Sequence, residues 1–313
     1  MSYVNALVDK VYVINLDKDV ERLKKIDTSL QSVGIEYERF SAVLGSHIST
    51  HPNLTPLCCM FCTDGIKGCA LSHHTLWEEA IRNGYQSVLI LEDDAIIPKD
   101  INERLRDAKT KIPDDWDVIY VGCRFFCNDE HPVSKVGNRL LNSVPEEIDG
   151  DVKKVKGSAG SHAIIFKTSF LKKIVDKPIH THIDVQLQIW IRELNAKAYG
   201  LYPEIVSVND AGDGSNLSEK YPPLLNSALN QIEFGDNIPL GWALSENFAK
   251  VGGINLNPLL ILLVLLVTFV PFWSIPYLFG WLLLELFVSR DWKSFGKFVV
   301  LLSLPLLIRL YRK

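Results

Sequence analysis

A long apolar run near the C-terminal end limits what this chain can fold into more than any other feature. Between Ile254 and Ser289 the only charged residue is Glu285, and the core of the run reads PLLILLVLLVTFVPFWSIPYLFGWLLLELFV. About 20 apolar residues suffice to cross a bilayer core of about 30 Å. A buried helix of a soluble protein rarely stays apolar on every face over such a length. We therefore expect a membrane-associated helical tail over residues 254–313.

The topology of this tail stays open at the level of sequence. Pro271 and Pro276 divide the run into two segments, each about 18–20 Å long as a helix. Such a run could cross the bilayer once, or form a hairpin that enters one leaflet and returns. The later segment FVVLLSLPLLIRLY is short and contains a proline, so we expect it to lie at the membrane interface. The basic flanks SRDWKSFGK and RLYRK predict that the preceding domain is cytoplasmic.

Charge and cysteine content restrict the rest of the chain. Residues 251–313 hold six basic and two acidic residues, whereas the first 250 residues hold 27 basic and 35 acidic residues, a formal charge of −8. An acidic body argues against a nucleic-acid partner. The N-terminus lacks an apolar run of signal-peptide length, so we expect the six cysteines to be thiols. Cys59-Met-Phe-Cys62 has zinc-knuckle spacing, but no second ligand pair follows it.

Residues 1–250 alternate between strand and helix patterns. KVYVIN predicts a buried strand. The segment that follows it, LDKDVERLKKIDTSLQSVG, predicts an amphipathic helix with Val20 on its apolar stripe, and IEYERFSAV then predicts an extended segment. Asp64 to Gly84 predicts a helix with Asp64 as N-cap, and QSVLIL predicts a further strand. A β-α-β start of this kind favours an α/β fold with a parallel sheet. We expect the boundary to the tail at Gly252-Gly253.

Three carboxylates, Glu92, Asp93 and Asp94, directly follow the strand QSVLIL. The carboxyl ends of strands form ligand clefts in open α/β sheets. Three crowded negative charges are unfavourable unless a positive group lies beside them, and Mg²⁺ or Mn²⁺ prefers oxygen ligands. A solvent-exposed acidic turn could contain the same three carboxylates without binding a cation. The apolar strand before the carboxylates and the pair Ile96-Ile97 after them favour a cation site.

These residues resemble glycosyltransferase family 25, which includes lipopolysaccharide and collagen galactosyltransferases. VYVINLDKDVERL is similar to the family's strand-Asn-Leu-Asp start, Gly68–His73 to its Gly-Cys-x-x-Ser-His motif, and Glu92–Asp94 to its Glu-Asp-Asp motif. RFSAVLG, GSAGSHAII, THIDVQLQ and YPEIVSVNDAGDGSNL resemble further segments, so the likeness covers roughly residues 8–218. Asn216 replaces an Asp of the family. If that Asp binds metal, Asp210 or Asp213 would have to take its place here.

The resemblance implies a GT-A-like nucleotide-binding α/β/α sandwich over residues 1–250. It also implies a metal-dependent, inverting transfer of a hexose, galactose or glucose, from a UDP-sugar to a hydroxyl of a glycan, lipid-linked or protein acceptor. The apolar tail is not part of the family pattern, and its composition separately predicts membrane lipids as partners. Mn²⁺ or Mg²⁺ is expected on Glu92, Asp93 and Asp94. The implied donor-binding residues are Asn15, Asp17, Arg22, Ser72, His73 and Asp93.

The acceptor hydroxyl needs a base, and Asp184 is the candidate, with Asp94 as the second catalytic residue. Asp184 also suits the N-cap of the helix VQLQIWIREL, so both roles stay open. His180 and His182 are further candidates for phosphate contact. His73 falls on an apolar helix face and would equally suit a core position, and Cys69 would suit simple packing. The competing function is a non-catalytic scaffold that binds a UDP-sugar or glycan, and a nucleotidyltransferase is a third possibility.

Overall fold

The computed structural model describes residues 2–208, 219–235 and 238–311, and the chain divides into two compact units, Met1–Asn209 and Asp210–Lys313. The boundary predicted from the sequence, at Gly252-Gly253, lies inside the second of these units. In the structure these two glycines have positive φ angles, 57° and 82°, and form the turn of a hairpin inside the second unit. Residues 219–250 are therefore part of the same compact unit as the apolar tail.

The first unit is built around a mixed sheet of eight strands in the order β2-β1-β3-β8-β5-β9-β7-β6. The strands of this unit are β1 (Lys10–Asn15), β2 (Glu38–Ser41), β3 (Ser87–Glu92), β4 (Ala95–Ile96), β5 (Val118–Tyr120), β6 (Glu146–Asp149), β7 (Val152–Val155), β8 (Ala163–Lys167), β9 (Ala198–Leu201) and β10 (Ser207–Val208). β4 and β10 form a separate antiparallel pair.

The sheet is mixed, which corrects the expectation of a parallel one. β2, β1 and β3 are parallel, and β5 is parallel to β9, but β8 runs antiparallel between β3 and β5. Because β8 is antiparallel to both neighbours, β3 and β5 point the same way. The carboxyl ends of β1, β3 and β5 therefore share one edge of the sheet with the start of β8.

Helices cover both faces of this sheet. They are α1 (Tyr3–Leu7), α2 (Val20–Ser32), α3 (Pro56–Phe61), α4 (Asp64–Arg82), α5 (Ile101–Lys111), α6 (Pro132–Leu140), α7 (Thr168–Ile174) and α8 (Ile183–Glu193). Alternating strand residues divide between the faces, since side chains of successive strand residues point to opposite sides. Val11, Val13 and Leu89 lie in one hydrophobic cluster with residues of α2 and α5. On the other face Trp77 of α4 packs edge-on against Phe166 and Trp190.

Local chemistry places the helix ends. The side chain of Thr63 caps α4 by accepting a hydrogen bond from the Ile66 N–H, so Asp64 is the first helical residue and not the N-cap predicted for it. In α2 the side chains of Ile26 and Leu30 are buried, while Val20, predicted on the apolar stripe, is exposed because it begins the helix. A disulfide joins Cys123 and Cys127, so the expectation of six thiols is wrong for these two.

The second unit combines small hairpins with three long apolar helices. Its strands are β11 (Glu233–Gly235), β12 (Ile238–Pro239), β13 (Ala249–Val251) and β14 (Ile254–Leu256), and its helices are α9 (Pro223–Leu229), α10 (Leu240–Ser245), α11 (Pro258–Phe269), α12 (Ile275–Ser289) and α13 (Trp292–Tyr311). α11 ends before Pro271, as the proline position predicts. α13 is one continuous helix through Pro305 that packs in a shared hydrophobic cluster with α11 and α12. The interfacial position expected for this segment stays a prediction.

Two polar side chains of the apolar helices bond to the ends of neighbouring helices. Glu285 of α12 is fully buried and accepts hydrogen bonds from the N–H groups of Leu224 (2.7 Å) and Leu225 (3.0 Å) and from the Trp281 indole (2.9 Å). Arg309 of α13 donates to the Val270 carbonyl at 2.5 Å, beyond the end of α11. Both contacts satisfy backbone groups that helix ends leave without an intrahelical partner.

Residues 272–289 and 292–311 are long and apolar enough to cross a membrane, with mean hydropathies of 1.4 and 1.6. Only 17% and 28% of these two stretches is buried inside the protein. The core helix of a soluble protein would be mostly buried, so the exposure of their apolar side chains favours a lipid environment.

Candidate active site

The candidate site lies at the sheet edge where β1 and β3 end. Asn15 is the last residue of β1, and Glu92 ends β3 with Asp93 and Asp94 immediately after it. The parallel register pairs Ile14 with Glu92, which puts Asn15 beside Asp93. Asn15 Nδ2 donates to Asp93 Oδ2 at 2.7 Å. The carboxyl-end rule thus brings two residues 78 positions apart in sequence into direct contact.

Arg22 supplies the positive charge that the crowded carboxylates require. This side chain projects from the first turn of α2, and one terminal nitrogen lies 2.8 Å from Asp93 Oδ1 and 2.7 Å from Asp94 Oδ2. The three side chains are 17%, 9% and 25% exposed, respectively, so these ion pairs are partly shielded from water. The guanidinium therefore bridges the two aspartates.

One guanidinium does not fully satisfy this pair. Burial, together with the charge of Glu92, raises the pKa of Asp94 to about 7, although Arg22 acts in the opposite direction. Burial likewise raises the pKa of Asp93 against the effect of Arg22. Asp94 Oδ1 is buried and has no hydrogen-bond partner among the described residues. A buried oxygen of this kind, next to a second carboxylate, is a ligand position suited to a divalent cation.

Glu92 faces a different set of partners from the two aspartates. Its Oε1 accepts a hydrogen bond of 2.6 Å from the Ser161 hydroxyl and lies 3.4 Å from His73 Nε2. Burial opposes ionisation of Glu92, but the hydrogen bond and charge of His73, with the Ser161 hydroxyl, bring its pKa well below the ordinary value. His73 is fully buried, as a core residue would be, yet its imidazole reaches the site. The two interpretations of His73 are therefore compatible.

Asp184 belongs to the same electrostatic neighbourhood. It is the second residue of α8, whose N-cap position is His182, so the interpretation of Asp184 as N-cap is wrong. Burial raises the pKa of Asp184, the nearby His182 lowers it, and the charge of Glu92 raises it further. Its own charge contributes to the raised pKa values of Tyr120 and Cys69. The start of α8 therefore brings a carboxylate close to the end of β3.

Asp17 lies toward the outer strand of the sheet. Its side chain is 74% exposed, accepts a hydrogen bond from Ser41 at 2.8 Å and pairs with Arg39. The hydrogen bond from Arg39 holds the pKa of Asp17 below its ordinary value. Arg39 Nε also donates to Asn15 Oδ1 at 3.0 Å. Arg39 thus links the two predicted donor-binding residues, and sequence reasoning missed it because only the register of β1 and β2 brings it there.

Ser72 uses its hydroxyl for hydrogen bonds to the backbone. It is fully buried, donates to the Gly68 carbonyl at 2.7 Å and accepts from the Val43 N–H at 2.9 Å. A Cβ at Gly68 would lie 2.5 Å from the Val43 oxygen, and a Cβ at Gly45 would lie 1.8 Å from the Asp64 oxygen. These motif residues hold the turn after β2 against α4, which explains their small size without a ligand.

The remaining predicted residues are placed as follows. His180 is exposed and His182 partly exposed, both ahead of α8. Cys69 is partly exposed and belongs with His73 and Glu92, whereas sequence reasoning treated it as packing. Asp210, Asp213 and Asn216 lie outside the described residues.

Comparison with known proteins identifies a family for the part of the chain that forms this site. Residues 8–146 match the family model "Glycosyltransferase family 25 (LPS biosynthesis protein)". The matched range includes Asn15, Arg22, the Gly68–His73 motif and all three carboxylates. Asp184 lies beyond it.

Curated relatives agree with the family model. The chain is 28% identical over 151 residues to a glycosyltransferase 25 family member of Drosophila melanogaster. This match covers 44% of the chain and 24% of the relative. Two further relatives are each 29% identical to this chain over 128 residues, which is 36% of the chain. One is procollagen galactosyltransferase 1 of Danio rerio, of which the match covers 21%. The other is a probable inactive glycosyltransferase 25 family member 3 of Bos taurus, of which it covers 22%. The chain thus spans about a quarter or less of the length of these relatives.

Among solved structures, A197 from STIV aligns with 63% of this chain and 82% of its own, at 18% identity and a TM-score of 0.34. A likeness at this score carries no argument about the site. The family model and the curated relatives agree with the motifs at Asn15–Asp17, Gly68–His73 and Glu92–Asp94. Residues 8–146 therefore match glycosyltransferase family 25, both by its family model and by the curated relatives.

Proposed function

We propose that this protein is a metal-dependent glycosyltransferase that moves a hexose, galactose or glucose, from a UDP-sugar to a hydroxyl of a glycan, lipid-linked or protein acceptor. The observation that carries the proposal is the gathering of Asn15, Arg22, Asp93 and Asp94 at one sheet edge, within the residues that match the family. The proposal includes a GT-A-like use of the α/β unit, in which the nucleotide occupies this edge.

The donor diphosphate needs positive charge, and the site offers two sources. Arg22 is one, because its guanidinium already lies among the carboxylates. A bound Mn²⁺ or Mg²⁺ is the other, held by Asp94 with Asp93, and it would offset the charge that develops on the departing diphosphate. The unpartnered Asp94 Oδ1 and the oxygen-rich pair fit such a cation. Asn15, with its carboxamide fixed between Asp93 and Arg39, would orient the donor beside them.

Asp184 is the proposed base for an inverting transfer. The acceptor oxygen bonds to the anomeric carbon as the bond from that carbon to the UDP oxygen breaks, and Asp184 takes the hydroxyl proton. A partly buried carboxylate with a raised pKa holds that proton more readily than a fully exposed one. His182, whose charge acts on Asp184, would position the carboxylate.

The exposed apolar helices of the second unit support a place for the protein at a membrane. We propose that α12 and α13 contact lipid and that the first unit works at the cytoplasmic face, as the basic flanks predict. A lipid-linked acceptor would then reach the enzyme by diffusion in the bilayer.

The test is release of UDP from UDP-galactose and UDP-glucose by the full chain in detergent, with and without Mn²⁺. Activity that requires Mn²⁺ and falls at least a hundredfold in Asp94→Asn supports the proposal. Asp114→Asn is the matched control, because that aspartate is exposed and distant in sequence from the site. Equal activity of Asp94→Asn and the wild type would contradict the assignment of Asp94.

A second candidate function is a non-catalytic scaffold that binds a UDP-sugar or glycan. Two observations favour it: a matched relative from Bos taurus is named probable inactive, and Arg22 already supplies a positive charge to the two aspartates without a metal. Isothermal titration with UDP separates the two functions. Binding of UDP with no release of UDP from any UDP-sugar would identify the scaffold.

A further inference from the structure

A second group of side chains with metal-ligand chemistry lies behind the aspartates. Cys69 and His73 occupy successive turns on one face of α4, and Glu92 ends β3 opposite them. The ligand atoms of these three residues all lie within 4.8 Å of one another. His73 is fully buried, while Cys69 and Glu92 are partly exposed. Among the described residues this mixed set combines sulfur, nitrogen and oxygen donors around one point.

The spacing suits a tetrahedral ion. Zinc bonds to imidazole nitrogen and carboxylate oxygen are about 2.0–2.1 Å long and its bonds to thiolate about 2.3 Å, which separates tetrahedral ligand atoms by about 3.3–3.6 Å. His73 Nε2 lies 3.4 Å from Glu92 Oε1. That separation is long for a strong hydrogen bond but matches two ligands of one zinc ion. Only small shifts of Cys69 would complete a three-residue ligand set.

Donor chemistry distinguishes this group from the aspartate pair. Thiolate and imidazole prefer zinc and similar borderline-soft ions, whereas Mg²⁺ and Mn²⁺ prefer carboxylate oxygen. The structure also separates the carboxylates, because Asp93 and Asp94 face Arg22 while Glu92 faces His73. Ser161 holds the Glu92 carboxylate through a 2.6 Å hydrogen bond, as outer partners of metal ligands commonly do.

We infer that Cys69, His73 and Glu92 form a binding site for a zinc-class cation, separate from the Mn²⁺ or Mg²⁺ proposed on Asp93 and Asp94. Cys69 releases its thiol proton to solvent on binding, and its sulfur keeps its oxidation state. Three protein ligands leave a fourth coordination position for water. The inference does not depend on glycosyl transfer, since a scaffold without turnover would hold the same three ligands.

The first test is titration of the metal-free full chain in detergent with Co²⁺, which substitutes for zinc and reports thiolate ligation by a charge-transfer absorption band. We expect one equivalent to bind with this band. Cys69→Ser should abolish the band, and His73→Ala should weaken binding at least tenfold. Cys59→Ser is the matched control, because it removes a cysteine of the alternative Cys59-x-x-Cys62 pair. Asp94→Asn should also leave the band unchanged.

A second measurement needs no variant and decides the matter if Cys69→Ser fails to fold. X-ray absorption spectroscopy of the zinc-loaded wild-type chain counts the sulfur neighbours of the ion. One sulfur among lighter neighbours supports the inference. A shell without sulfur, or with two or more sulfurs, overturns it, as does a cobalt band that survives Cys69→Ser or disappears in Cys59→Ser. Loss of UDP release in Asp94→Asn with an intact cobalt band would separate the two sites experimentally.

Discussion

Replacement of Arg22 by methionine tests whether this arginine and a divalent cation serve the same two carboxylates. Methionine keeps much of the aliphatic length of arginine and removes its charge. The substitution breaks the ion pairs with Asp93 (2.8 Å) and Asp94 (2.7 Å) and leaves two adjacent carboxylates without a cation. Exposed ion pairs contribute about 0–1 kcal/mol to the free energy of unfolding, and breaking a buried ion pair costs about 3–5 kcal/mol. Because the pairs of Arg22 are partly buried, we expect their loss to cost about 2 kcal/mol together. For a unit of about 200 residues this corresponds to a fall in Tm of about 4–8 °C.

Manganese should reverse much of this loss, because the freed carboxylates bind the cation more tightly. If Mn²⁺ affinity rises tenfold, saturating Mn²⁺ stabilises Arg22→Met by about 1.4 kcal/mol more than it stabilises the wild type. Thermal unfolding of the full chain in detergent, followed by circular dichroism with and without Mn²⁺, measures both effects. Lys24→Met removes an exposed charge from the same helix and should change neither. The reasoning is refuted if Arg22→Met melts with the wild type, or if Mn²⁺ raises its Tm no more than that of the wild type.

Three further predictions concern packing, catalysis and the membrane. Gly68→Ala should destabilise the chain by about 2–3 kcal/mol in urea unfolding, because its Cβ would lie 2.5 Å from the Val43 oxygen. Gly84→Ala, at a position with φ of 71° and nothing within 4 Å, should cost about 1 kcal/mol, and equal losses would contradict the packing argument. Asp184→Asn should lower sugar transfer about 10²- to 10⁴-fold in a UDP-release assay with unchanged Tm, whereas full activity would exclude Asp184 as the base. Phe287, 80% exposed on α12, should contact lipid, so Phe287→Glu should reduce flotation of the full chain with liposomes, and unchanged flotation would exclude this face.

The local elements of the first unit follow closely from sequence pattern. The β-branched and aromatic run KVYVIN predicts β1 with its observed bounds, Lys10–Asn15, and the apolar periodicity after Asp64 predicts α4. The N-cap of α4 lies one residue before the predicted position, at Thr63 and not at Asp64. Both residue types cap helices well, and only the structure shows that the Thr63 hydroxyl accepts the hydrogen bond from the Ile66 N–H. Pairing direction was not predictable in the same way. β8 is as apolar as a parallel strand, since both faces of the central sheet are covered, and so its antiparallel insertion has no signature in composition.

The candidate site was predictable as a set of motifs but not as a set of contacts. The carboxyl-end rule brings Asn15 and Glu92–Asp94 to one edge, and the structure places them there. The division of the three carboxylates between Arg22 and His73 depends on the direction of each side chain after β3, which no spacing in the sequence encodes. Ser72 illustrates the opposite case, since a motif residue expected at the donor uses its hydroxyl within the protein.

The contact between Arg309 and the Val270 carbonyl restricts how the apolar helices can be oriented in a bilayer. Lys297, near the other end of α13, pairs with Glu219, whose N–H donates to the Ser245 carbonyl in the region that leads into α11. α11 and α13 therefore run side by side in the same direction, and their last turns lie at one depth. In the bilayer placement proposed above, the leaflet that receives the chain at Pro271 would also receive the guanidinium of Arg309, so a single depth-sensitive label at either position would report the location of both.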